Sequence, residues 1–216
     1  MNTLASRRML MTWLAAASFG CDRELAGNGS VKSDVRTPGP FSELEVSGAF
    51  VVKVKLKAAA HEVTIEGDDN LLPEIVTRTD GKRLTVTTAR GVAPSRPIVV
   101  AVAAPDIALV RTRGAVDVTI SDVDNARLQV DLDGSGKATA TGRTQKLKVF
   151  VKGAGKIETA GLATREALVM IEGAGSIELA DLLELEAEIH GAGAVRYGGD
   201  PKVTKIVRGA GTVEKR

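Results

Sequence analysis

Few residues in this chain carry reactive side chains, and their spacing decides what chemistry is open to them. There are two histidines, His61 and His190, and one cysteine, Cys21. A metal centre or a Ser/His/Asp triad needs histidine close to further ligands or a nucleophile. His61 follows three alanines and His190 precedes a glycine turn, so both read as solvated surface residues. A lone cysteine excludes a disulfide framework and a thiolate zinc cage. Asp68-Asp69-Asn70 has the oxygen donors for a cation, but the same triplet is ordinary turn chemistry. Glycine pairs occur repeatedly, yet a phosphate cradle needs a helix N-terminus after the glycines. No Gly-x-x-x-x-Gly-Lys-Ser/Thr spacing occurs, and the calcium β-roll aspartate is absent at Ala138, Ile157, Ile177, Val195 and Val213. The residues therefore predict no catalytic site, no cofactor and no metal.

Composition narrows the class further. The chain has 216 residues, 44% apolar, 26% charged and only 3% aromatic, with 23 glycines. That length and apolar share allow one sizeable core and exclude a disordered chain. The net charge is +2 and falls to zero without Arg7 and Arg8. No electrostatic case for nucleic acid survives.

The N-terminus reads as an address. Residues 1–20 combine Arg7-Arg8 with the apolar run Met9–Ala17, too short to span a bilayer, and small residues before Cys21. This predicts an export signal. Ser6-Arg7-Arg8-Met9-Leu10 resembles a twin-arginine motif, while paired arginines also suit the general secretory route. Ser18-Phe19-Gly20-Cys21 resembles a bacterial lipobox, whose cysteine is acylated and becomes the mature N-terminus. Cys21 is thus the expected lipid anchor to a membrane, with Asp22 hinting at the inner one. The alternative is a plain signal peptide with a leftover thiol. Residues 21–40 lack apolar periodicity and read as a flexible linker.

From Phe41 onward the chain alternates apolar and polar residues, the pattern of half-buried strands. Val52-Lys53-Val54-Lys55-Leu56 and Leu84-Thr85-Val86 are examples. Only residues 71–75 suggest a brief helix, which Pro73 keeps short. Past residue 110 a repeat emerges. Gly-x-Gly recurs at Gly134, Gly153, Gly173, Gly191 and Gly209, with a degenerate copy at Gly114, at spacings of about 18–20 residues. Two residues before these glycines stand Thr112, Leu132, Val151, Ile171, Ile189 and Val207. Four before stand Val110, Val130, Val149, Val169, Ala187 and Lys205. Each unit is strand, glycine corner, strand, with one face inward. One unit cannot bury that face alone, so the units must stack. The expected fold is all-β, a right-handed parallel β-helix (β-solenoid) forming a single domain over residues 41–216. Lys205 departs from the column, as an end unit does.

The residues just before each glycine, Arg113, Asp133, Lys152, Glu172, His190 and Arg208, should face outward and alternate in sign. They predict a surface charge ladder favouring correct register. Phe150 and Met170 should adjoin on the outer face between Asp131 and Glu188, as an apolar patch suited to covering, self-association or interaction.

The glycine repeat, the opening Phe41-Ser42-Glu43-Leu44-Glu45-Val46-Ser47-Gly48, the stretch Gly67–Leu72 and Tyr197-Gly198-Gly199-Asp200-Pro201 together resemble the family of auto-transporter adhesins with a head GIN domain. The resemblance covers residues 41–216. It implies a β-helix domain, usually exported from bacteria and often part of a lipoprotein, and it carries no catalytic residues over. The resulting expectation is a non-enzymatic envelope lipoprotein for binding, adhesion or scaffolding, with an envelope protein or polysaccharide as partner. The alternatives are a polysaccharide-processing enzyme on the same scaffold and a periplasmic sensor or partner-binding domain.

Overall fold

The computed structural model describes residues 24–216. The export signal, Cys21 and Asp22 lie outside the described residues. Strands take up 71% of the described residues, and one 3-10 turn, Leu72–Glu74, falls in the stretch expected to be briefly helical.

The architecture is a parallel β-solenoid of about five coils. Its first coil is β3 (Glu43–Gly48) and β4 (Phe50–Lys55); two earlier strands, β1 (Leu25–Ala26) and β2 (Val31–Arg36), precede it. The chain then runs through β5 (Glu62–Asp68), β6 (Ile75–Asp80), β7 (Arg83–Thr88), β8 (Val92–Ala93) and β9 (Ile98–Ala103), of which β7 and β9 stack on β3 and β4. It continues with β10 (Leu109–Gly114) and the long strands β11 (Asp117–Gly134), β12 (Lys137–Gly153) and β13 (Lys156–Gly173). β14 (Ser176–Asp181), β15 (Glu184–Gly191), β16 (Ala194–Gly198), β17 (Lys202–Gly209) and β18 (Thr212–Lys215) complete it.

The glycine-marked strands pair in parallel with their copies, glycine on glycine. Gly48, Gly114, Gly134, Gly153, Gly173, Gly191 and Gly209 form one column. The sequence pattern revealed six corners; Gly48-Ala49-Phe50 is a seventh, hidden because Phe50 fills the third position. Each first glycine has positive φ, from 99° to 135°. The corners also bond to one another: Ala154 N–H donates to the Gly134 carbonyl at 3.0 Å and Ala174 N–H to that of Gly153 at 2.8 Å. From Gly114 onward, a side chain on the first glycine would overlap the carbonyl of the glycine beneath it. The second glycine answers a different need. A Cβ on Gly175 would stand 2.6 Å from Val151, and one on Gly193 would stand 2.7 Å from Ile171. Glycine there leaves room for the core of the previous coil.

The inward columns are buried as the pattern requires. Leu132, Val151, Ile171 and Ile189 are closed off, as are Val130, Val149, Val169 and Ala187. They join Val118, Ile120, Ile157 and Ile177 in one continuous core. Thr112 fits the column because its hydroxyl reaches the Asp131 carbonyl. In the last coil the burial fails: Val207 is 38% exposed and Lys205 is exposed.

Two readings need correction. Residues 24–36 are not a free linker but part of the domain. β2 pairs antiparallel with β5, and β1 pairs with β8. These strands lie at an edge, so they need no inward apolar face, and periodicity could not betray them. The region 41–110 is also less regular than a pure parallel helix. β7 and β9 join the coils in parallel, but β5 returns antiparallel to β9, and β6 antiparallel to β7.

Candidate functional site

The outer face of the strands that precede the corners carries charged and apolar side chains side by side. Its rows are set by register. Glu43 and Glu45 lie beside Leu109 and Arg111, then come Gln129 and Asp131, then Lys148 and Phe150, then Leu168 and Met170, then Glu186 and Glu188. Phe150 and Met170 are direct cross-strand neighbours between Asp131 and Glu188, as the pattern required. Both are half-buried.

Beside them lies a shallow notch of about 220 Å³. Asp131 and Asp133 line it from the middle strand, β11. Arg111 and Arg113 wall one side, and Phe150, Met170 and Lys152 the other. The arginines are held in place. Arg111 donates twice to Asp131, at 2.9 and 3.1 Å, and Arg113 donates to Glu45. Glu45, nearly buried, also faces Arg83 at 3.6 Å. Charge-assisted pairs of this kind fix direction as well as adding energy. The notch therefore presents an apolar side, a cationic side and carboxylates between them, which suits reversible contact with a polar ligand bearing an apolar face.

The charge ladder is partly corrected. Arg113, Asp133, Lys152, Glu172, His190 and Arg208 do lie in successive register positions. Yet among the described residues no ion pair links Arg113, Asp133, Lys152 and Glu172 to one another. Arg113 instead reaches diagonally to Glu45, because that carboxylate sits two residues back on the next strand and is less solvated. At the other end Glu188 gathers both His190, at 2.7 Å, and Arg208, at 3.1 Å. The His190 hydrogen bond, with Arg208 nearby, holds the Glu188 carboxyl below its usual range. His190 thus faces outward and is hydrogen-bonded to Glu188.

His61 departs from expectation. It is half-buried, its Nε2 lies 2.9 Å from the Phe41 carbonyl, and its ring meets Phe41 edge-on at 4.6 Å between centroids. It is a packing residue that closes the start of the first coil.

Asp68-Asp69-Asn70 is a clasp. Buried Asp68 accepts from the Gly29 N–H at 2.7 Å, the Ser95 N–H at 2.8 Å and the Ser95 hydroxyl at 2.6 Å. These bonds, the Ser95 hydroxyl foremost, hold its carboxyl below the ordinary 3.8. Asp69 faces Lys32 at 3.0 Å, and Asn70 bonds the Asn28 N–H and the Ala26 carbonyl. The oxygens that a cation would need are engaged by Ser95 and the N-terminal segment. Among the described residues no cluster of three or more metal-ligating side chains occurs.

Sequence reasoning placed Phe150, Met170 and the ladder, but missed Glu45 and Arg111. Their signal was present: Glu45 stands three residues before Gly48, so recognising that corner would have aligned it with Arg111 and Asp131.

No curated protein matches the chain. Solved structures share its fold at low sequence identity. A protein from Bacteroides fragilis described as a putative adhesin is 16% identical, with a TM-score of 0.70 over 89% of this chain and 100% of its own. One from Parabacteroides distasonis described as a putative lipid binding protein is 18% identical, with a TM-score of 0.57 over 90% and 100%. A second P. distasonis protein, described as a putative adhesin, is 20% identical with a TM-score of 0.50 over 90% and 100%. Over residues 40–201, three quarters of its length, the chain matches the family "Putative auto-transporter adhesin, head GIN domain", and it belongs to that family.

Proposed function

We propose that this protein is a non-enzymatic binding domain of the bacterial cell envelope, exported and tethered by an acylated Cys21, with its ligand seat at the notch beside Phe150 and Met170. The observation that carries the binding role is that notch: apolar and charged groups held side by side on a sheet face fixed by coil-to-coil pairing. Family membership supports an exported, adhesive role. The lipobox-like Ser18-Phe19-Gly20-Cys21 supports the tether, and no described helix is long and apolar enough to cross a membrane. An envelope polysaccharide or protein fits the seat's mixture of surfaces.

Mass spectrometry of the membrane fraction tests the address with the full chain. A diacylglyceryl group on an N-terminal Cys21 is expected, and Cys21→Ser should release the protein into the soluble fraction. A soluble wild-type chain beginning at another residue would remove the tether. For the seat, Phe150→Ser combined with Met170→Ser should weaken attachment of expressing cells to envelope polysaccharide at least about tenfold. Unchanged attachment by the folded variant would remove that assignment.

A further inference from the structure

Among the described residues, β17 is the outermost strand of its column. β17 is hydrogen-bonded to β15 on one side, and among the described residues no strand occupies the other. Its N–H and C=O groups form a template on which another strand can pair. The residues along it are not those of an ordinary coil. Val203, Lys205 and Val207 hold the inward positions, in register with Leu185, Ala187 and Ile189 of β15. Those three are buried, whereas Val207 is 38% exposed and Lys205 is exposed. In every earlier coil from β10 onward an apolar residue occupies the place of Lys205: Val110, Val130, Val149, Val169, Ala187.

Charge narrows what could cover this edge. β17 carries Lys202, Lys205 and Arg208 and no acid, and Lys215 and Arg216 follow it. The strand on its covered side is the opposite: β15 carries Glu184, Glu186 and Glu188 and no lysine or arginine. Glu184 faces Lys202 at 3.7 Å and Glu188 faces Arg208 at 3.1 Å. Thus β17 already has one acidic strand beside it and offers the same basic side chains to the vacant side. A second copy of β17 placed edge to edge would oppose like charges.

We propose that the open edge of β17 receives an extended acidic segment of a partner protein. That segment carries apolar residues opposite Val203 and Val207, and an aspartate or glutamate between them, opposite Lys205. The reason is the cost of covering Lys205. A strand laid over this end takes the ammonium out of water, which is unfavourable unless a carboxylate accompanies it. A wholly apolar strand leaves it unpaired, so the lysine that weakens the column also selects the occupant. A second acid opposite Arg208 repeats the pairing seen with Glu188.

The test uses the mature full-length protein and two synthetic peptides, TVTETVEG and TVTKTVEG, which differ only at the residue set opposite Lys205. Fluorescence anisotropy should show the glutamate peptide binding at least about tenfold more tightly than the lysine peptide. Lys205→Glu should reverse that order. Position 205 is exposed, so both proteins should melt alike, which checks that the variant is folded. Binding of neither peptide, or equal preference in both proteins, overturns the proposal. So does a Lys205→Val variant that self-associates while no peptide binds the wild type, because the lysine would then serve to keep strands away.

Discussion

The two ends of the solenoid solve the same problem differently. Stacked coils leave an apolar column and a row of unpaired backbone groups at each end. At the N-terminal end the chain reverses direction. β5 and β6 pair antiparallel with the strands inside them, β2 adds a further antiparallel strand, and Asp68 locks the arrangement to Gly29 and Ser95. Arg36 adds donors to the carbonyls of Leu72 and Ile75, tying β2 to the turn before β6. At the C-terminal end β17 and β18 stop with one neighbour each, and the change is chemical: Lys205 interrupts the column. Reversing strands cover the end of the stack with antiparallel partners and move the open edges out to β2 and β6. A lysine leaves the bonds free and alters only what can be laid on them.

The largest effect expected from this contrast lies in the glycine column. Gly153→Val forces a side chain into positive φ, costing about 1–3 kcal/mol, and into the Gly134 carbonyl below with a coil packed above. Denaturant melts should show a loss above about 3 kcal/mol in total. Gly209→Val meets the same φ and the Gly191 carbonyl, but among the described residues no strand pairs on its far side. The backbone there can shift, so the loss should stay near about 1–2 kcal/mol. Equal losses at both positions would mean that the last coil is as tightly held as the middle ones.

A smaller and local effect is expected at the clasp. Asp68→Ala should raise hydrogen exchange across Val31–Arg36 and leave β12 and β13 protected. The same clasp should respond to acid. Its carboxyl titrates below 3.8 in the fold, so its stabilisation is complete above about pH 4 and disappears as pH falls through the lowered value. Exchange in β2 of the wild type should therefore rise in that acid range before the coils open. Simultaneous opening of β2 and the coils would show that the cap and the stack are one cooperative unit.

The smallest effect concerns the ladder. Asp133→Lys with Glu172→Lys should lower the midpoint more at low salt than at high salt, within about 1 kcal/mol. The magnitude is small because Arg113 is already engaged by Glu45 and the rungs are not in direct contact. Equal loss at both salt concentrations would remove the ladder as a source of register.

The coils were readable because their physics repeats. A glycine every 18–20 residues with valine, leucine or isoleucine at fixed offsets admits few arrangements other than stacking, since no single copy can bury its face. The apolar neighbours Phe150 and Met170 followed from the same alignment. The ends were not readable for the matching reason: they break the repeat. Gly48 lacked its second glycine, and Val31–Arg36 has no inward face to pattern.

What the sequence by itself determined is the repeating unit: its period, its inward residues and the order of charges outside. These follow from local rules, alternation along a strand and the freedom of glycine at a corner. Only the tertiary structure decided how the stack closes and which charges meet. Strand direction at the cap depends on where β5 and β6 return. The pairing of Arg113 with Glu45 depends on side-chain reach between strands 68 residues apart in sequence. Neither is written in any window of neighbouring residues, because both are set by distance in space rather than along the chain.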